Sequence, residues 1–297
     1  MRQDLGLLRP GDEIAVDLRI LTARRLDLVN DHTRQTNRLR AQLLQFFPAL
    51  ERALNLSKKG PVMLLAGYQT PAAIRRSGAR RIGTWLKNRK VKNAAALAEI
   101  AVEAARAQHT ALPGETLAAA MVARIAKGLQ ALDREIAEID TLIEARFNEH
   151  RHATVIRSLP GMGTLLGAEF IAATGGDLEA FGTADRLACF AGLSPVPRDS
   201  GRVSANMRRP RRYHRGLLRA FYLSAMASLR TCSASQAYYG RKRNEGKGHK
   251  QALLALARRR ANVLWAMLRD GECYEPLPTV TEPCSGLVDR PRVGCLV

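Results

Sequence analysis

The chain has 297 residues, with 47 Lys and Arg against 27 Asp and Glu and a formal charge of +20. At 46% hydrophobic residues it has enough apolar surface for a buried core, which excludes a disordered polycation. Aromatics at 5%, with abundant Ala, Leu and Arg, exclude an all-β sandwich and favour helix.

Residues 11 to 47 predict a long helix. Ile14, Leu18, Leu21, Leu28, Leu39, Leu43 and Phe46 recur at mostly helical spacing, and Pro48 stops the run. Arg25 and His32 interrupt the stripe, so its middle is expected to be less buried. A short apolar segment, Val62 to Leu65, follows Gly60-Pro61. Thr70 then reads as a helix cap with Pro71 at the first helical position. Residues 93 to 108 predict an Ala-rich helix. In 115 to 149, Val122, Ile125, Leu129, Leu132, Ile136, Ile139 and Ile143 make a heptad seam. The seam suits packing against the 11–47 helix as an antiparallel hairpin, self-association as a coiled coil, or both. A boundary is expected between Asn148 and Ala153. His150 and His152 have no further ligand nearby and do not read as a metal site.

Val155 to Ala173 reads VIRSLPGMGTLLGAEFIAA, an apolar lead into two glycines and then a helical stripe. Gly161 and Gly163 fit a helix-hairpin-helix turn whose backbone N–H groups hold a phosphate. A plain connection between helices is the alternative. Neither this turn nor GKGHK at 246–250 matches a dinucleotide fingerprint or a P-loop. A short helix capped by Thr183 and ending at Gly192 comes next. The turn Pro195 to Gly201 then presents Ser200 between Arg198 and Arg202. A hydroxyl flanked by two guanidinium groups suits attack on phosphorus; a serine capping its own turn is the alternative. The stretch from Glu275 onward is Pro-rich and aperiodic and reads as disordered.

Charge is concentrated. From Arg198 to Arg260 there are 17 basic residues and two acids, Asp199 and Glu245, and from Arg75 to Lys92 eight basic residues and no acid. Uncompensated like charge costs self-repulsion unless phosphates neutralise it, so nucleic acid is the expected partner. Candidate contacts are Gly161, Gly163, Arg198, Arg202, Arg208, Arg209, Arg211, Arg212, Arg215, Arg258, Arg259 and Arg260. No run approaches roughly 18 uncharged apolar residues, so no membrane partner is expected. The five cysteines are scattered and never spaced CxxC, which predicts a reducing cytoplasm and no structural zinc; with nucleic acid as partner, the expected location is the nucleoid-associated cytoplasm.

Several of these pieces together carry a resemblance. They are Ser158-Leu159-Pro160-Gly161-Met162-Gly163, Gly175-Gly176-Asp177, Phe181, Ala191-Gly192-Leu193-Ser194-Pro195 and Asp199-Ser200-Gly201. Tyr213-His214-Arg215, Tyr238-Tyr239 and Arg258-Arg259-Arg260-Ala261-Asn262-Val263-Leu264-Trp265 complete the set. From about Leu7 to Tyr274 the chain resembles the insertion-sequence one-ten family, DEDD transposases guided by a bridge RNA. The resemblance implies two catalytic halves joined by a coiled coil. One is an RNase H-like (RuvC-type) domain with four metal-binding carboxylates; the other is a C-terminal domain whose serine becomes covalently joined to DNA. Ser200 matches that nucleophile, with Ser204 as its rival. It also implies DNA and a guide RNA as partners and a homo-oligomer through 115–149.

The family's carboxylates lie upstream of the stretch matching Leu7 to Glu13, and only six residues precede it here. Asp4, Asp12, Glu13 and Asp17 read as helix-start acids. The chain is therefore expected to lack the RuvC-like domain, with no cofactor of its own and Mg²⁺ only where that domain is supplied. It would be a truncated remnant, the product of a miscalled start codon, or a fragment that works with another polypeptide. The expected fold is mainly α: a helical stalk over 1–150, a compact DNA-binding transposase domain over 151–273 and a disordered tail over 274–297. The expected activity is DNA strand cleavage and transfer through a serine; the alternative is a non-enzymatic nucleic-acid-binding remnant or regulator.

Overall fold

The computed structural model describes residues 12–108, 112–197, 207–208 and 210–275. The protein is mainly α-helical, as composition predicts. The chain divides into two compact units, one of residues 1–23 with 140–297, the other of residues 24–139. The expected boundary at 148–153 therefore falls inside the first unit. The reason lies at the ends of the two long helices, α1 (Glu13–Phe46) and α6 (Glu115–Asn148). The start of α1 is tied to residues after 140: Arg146 Nε bonds Asp17 Oδ2 at 2.7 Å, and Arg19 Nε donates to the Ala172 carbonyl at 3.2 Å.

The 24–139 unit has its own core. α1 ends at Phe46, and Pro48 opens α2 (Pro48–Ala53) at its first position, where a missing N–H costs nothing. α3 (Lys59–Gly67) carries Pro61 in its first turn for the same reason. Thr70 caps α4 (Pro71–Asn88) as predicted, its Oγ1 accepting from the Ala73 N–H at 3.2 Å. α5 (Ala94–Arg106) buries Ala98, Ala101 and Ala105, small side chains that let it pack closely on α4. These helices close over Leu39, Leu43, Phe46 and Phe47 of α1 and Val122, Ala126 and Leu129 of α6. A stretch expected as a stalk is thus a folded domain built between two long helices.

Within this unit α1 and α6 run antiparallel: Arg24 Nη2 lies 2.5 Å from Glu135 Oε1 and His32 Nε2 lies 3.4 Å from Asp133 Oδ1. The heptad seam serves this hairpin. Val122 and Leu129 are fully buried, while Leu132, Ile136 and Ile139 are half-buried.

The other unit is assembled from short helices: α7 (Ala153–Ser158), α8 (Thr164–Thr174), a 3-10 turn at Glu179–Phe181 and α9 (Ala184–Phe190). α10 (Arg215–Ser228), α11 (Ser233–Asn244) and α12 (His249–Asp270) complete it. Thr183 caps α9 as predicted, accepting from the Arg186 N–H at 3.2 Å. α12 is the central helix, with α9, α10 and α11 packed against it. Phe221 of α10 meets Phe170 of α8 edge-on at 5.9 Å between ring centroids. Two short strands, β1 (Val196–Pro197) and β2 (Met207–Arg208), pair antiparallel with Val196 opposite Arg208 and Pro197 opposite Met207.

Candidate nucleic-acid interface

The glycine-rich turn joins α7 to α8. Its two glycines differ. Gly161 has φ +78, and a Cβ on it would lie 2.6 Å from the Ser224 carbonyl oxygen and 2.8 Å from the Ser228 nitrogen. It faces the backbone of α10, so its lack of a side chain serves packing rather than a ligand. Gly163 is open, with nothing within 4 Å of a Cβ position, and immediately precedes the N-terminus of α8, which has no side-chain cap.

A polar cluster holds the turn in place. Ser158 Oγ donates to the Val155 carbonyl at 2.7 Å and accepts from the Tyr274 N–H at 2.8 Å. Tyr274, expected to begin the tail, is therefore anchored. Arg260 enters from α12, only 4% exposed, and its Nη2 donates to Ser224 Oγ at 2.8 Å and also to the Pro160 carbonyl. No carboxylate pairs with it among the described residues, and burial pulls its pKa down to about 10. Arg260 was expected on the nucleic acid; it is instead a buried brace between α12, α10 and the turn.

Its neighbours diverge, because successive residues on a helix point about 100° apart. Arg258 pairs with Asp185 at the start of α9 and with Asn262. Arg259 lies over the Tyr238 ring at 4.9 Å from its centroid, where Arg241 of α11 also sits at 5.1 Å. Sequence reasoning took the three arginines as one basic patch and missed Tyr238 as the neighbour of Arg259. Its signal is Tyr238 one helical turn before Arg241 and Lys242.

The β1–β2 ladder brackets the segment that carries the expected nucleophile. Ser200, Ser204, Arg198, Arg202 and Arg209 lie outside the described residues. Arg208 is exposed on β2, and Arg211, Arg212 and Arg215 are exposed just after it. The last three have no acidic partner among the described residues. Arg215 opens α10, whose cap is His214: Nδ1 accepts from the Leu217 N–H at 3.0 Å and the ring stacks on Phe190 at 5.3 Å. Burial, then Arg19, lowers the His214 pKa.

A second polar junction lies where α1 begins. Asp12 Oδ1 caps α1 by accepting from the Ile14 N–H at 2.9 Å, and its Oδ2 lies 3.0 Å from buried His150 Nε2. His150 Nδ1 accepts from the His152 N–H at 3.1 Å, so the neutral ring carries its proton on Nε2, toward Asp12. Burial lowers the pKa of His150 and His152; Arg151 adds to this, and Asp12 opposes it. Both are then held neutral in the fold and charge more readily when unfolded. Stability is expected to be complete above about pH 6.5 and to fall as the pH drops below it. Thermal melts across that range check this, and His150→Gln should flatten the dependence.

The family described as "Transposase IS116/IS110/IS902 family" matches residues 153–240, from α7 into α11. The chain is 58% identical over 280 residues to the insertion element IS900 uncharacterized 42 kDa protein of Mycobacterium paratuberculosis, covering 94% of this chain and 70% of that protein. The chain belongs to the IS116/IS110/IS902 family of transposases. It is also 50% identical to the insertion element IS116 uncharacterized 44.8 kDa protein of Streptomyces clavuligerus, over 95% of this chain and 71% of that one. With the insertion element IS110 uncharacterized 43.6 kDa protein of Streptomyces coelicolor the identity is 38%, over 93% and 68%.

A second family model, for the DEDD transposase of IS110, matches residues 1–48. This corrects the expectation that the transposase lacks that domain: the region of α1, taken as stalk, falls within the match. Asp12 is held by the α1 cap and His150, Asp17 by Arg146, and among the described residues no three His, Cys, Asp or Glu converge. No described helix is long and apolar enough to cross a membrane.

Proposed function

We propose that this transposase cleaves and rejoins insertion-sequence DNA through Ser200, with Ser204 the rival. Ser200 Oγ attacks a backbone phosphorus, one P–O bond to deoxyribose breaks, and the released sugar hydroxyl takes a proton. The DNA–serine phosphodiester is resolved when another sugar hydroxyl displaces the serine. The observation that carries this reading is the β1–β2 ladder, which brackets the serine segment and is followed by exposed Arg211, Arg212 and Arg215 without acidic partners. Cations so placed neutralise the phosphate and the charge that develops on it. Backbone N–H groups at Gly163 and the start of α8 add an anion contact.

A guide RNA, self-association through the half-buried seam Leu132 to Ile139, and a nucleoid-associated cytoplasmic location belong to the same reading. Mg²⁺ would be held by the four carboxylates that the family resemblance implies. The test is covalent trapping of the full chain on element-end DNA. Ser200→Ala is expected to retain DNA in gel retardation and form no protein–DNA adduct. Adducts formed by Ser200→Ala and lost in Ser204→Ala would move the role to Ser204. Retardation with no adduct from the unaltered protein would favour a non-enzymatic DNA-binding role.

A further inference from the structure

The basic block Arg75 to Lys92 has no place in the reaction above, and it lies in the 24–139 unit. Part of it is structural. Arg75 donates to the carbonyls of Ala105 and Gln108, and Arg89 lies over the Trp85 ring at 3.8 Å. Of the other six, Arg76, Arg80, Arg81 and Lys87 lie on α4, all exposed and without an acidic partner among the described residues. α4 also breaks at Gly78, where φ is +68 and ψ 162. The break starts a new helical segment with Arg80 and Arg81 in its first turn. That is the positive end of the helix dipole, where two guanidinium groups work against stability. A solvated charged face would place acids there instead. Above the break the surface is open: nothing lies within 4 Å of a Cβ on Gly78, and Ser77, Arg80, Arg81, Thr84, Trp85 and Asn88 line a groove of about 580 Å³.

We propose that the Ser77–Asn88 face of α4 is a second duplex-DNA contact, seating a backbone phosphate at the Gly78 break between Arg80 and Arg81. A duplex fits better than a single strand because no aromatic face is free to stack an unpaired base. Trp85 is covered by Arg89, met edge-on by Tyr68 at 5.3 Å and packed against Gly67. A helix also enters the B-DNA major groove, whereas that of A-form RNA is too narrow. The inference rests on the reading of the chain as a DNA-binding transposase, and its test is independent of Ser200.

The test is fluorescence anisotropy of the full chain with a duplex of about 30 base pairs, between about 50 and 200 mM salt. The double variant Arg80→Gln, Arg81→Gln is expected to melt no lower than the unaltered protein. Its plot of log affinity against log salt should be shallower by about 2. The control pair Arg38→Gln, Arg52→Gln, exposed elsewhere on the same unit, should leave the slope unchanged. An unchanged slope in the Arg80/Arg81 variant, or an equal loss in the control, overturns the proposal. So does a loss confined to a single-stranded RNA of equal length. An unaltered protein that fails to bind the duplex overturns the DNA-binding reading itself.

Discussion

Gly161→Val is expected to unfold the unit formed by residues 1–23 and 140–297. The position has φ +78, which costs an L residue roughly 1–2 kcal/mol before any contact is counted. The Cβ would then meet backbone atoms of α10 at 2.6 and 2.8 Å, and these cannot swing aside as a side chain would. Relief requires α8 and α10 to separate, opening the Phe170–Phe221 contact. The expected loss exceeds about 4 kcal/mol. Hydrogen exchange resolved by segment should show α7, α8 and α10 unprotected while α2 to α5 keep their protection. Gly163→Ala, with open space around it and φ −76, should cost no more than about 1 kcal/mol. If Gly161 served only to admit a phosphate, the valine variant would melt normally and bind DNA weakly.

Arg260→Ala is the second large effect. Burying the guanidinium is itself unfavourable, as its lowered pKa records. It is tolerated because the group is bonded to Ser224 Oγ and the Pro160 carbonyl. Alanine removes both bonds, leaves a carbonyl and a hydroxyl short of partners and opens a cavity under the turn. The expected cost is about 3–5 kcal/mol. Arg259→Ala, which removes a half-buried side chain from one face of Tyr238, should cost about 1 kcal/mol. A melting temperature unchanged by Arg260→Ala, with DNA affinity reduced, would return Arg260 to the nucleic-acid surface.

Both effects arise at residues whose type was legible in the sequence and whose task was not. Gly161 and Arg260 stood out as a turn glycine and part of a basic helix, and both were read toward phosphate. The glycine's reason for being there is Ser224 and Ser228, more than sixty residues later in the chain. The arginine's is a carbonyl one hundred residues earlier. His150 is similar: two histidines without nearby ligands gave no hint of Asp12, which α1 and α6 bring to 3.0 Å.

Local physics settled the helices before any tertiary contact was known. The 3.6-residue stripe from Ile14 to Phe46, the Thr70-Pro71 and Thr183 caps, the stop at Pro48 and the heptads of α6 depend only on neighbours within a few turns. Charge density was legible for the same reason, since like charges add whatever the fold. The packing of residues 48–106 into a core between α1 and α6, and the transfer of both helix ends to the later unit, were not. Nor was the parting of Arg258, Arg259 and Arg260 onto three neighbours. Each depends on which distant surface an apolar or cationic side chain meets, and side-chain spacing along one helix specifies a direction but no partner.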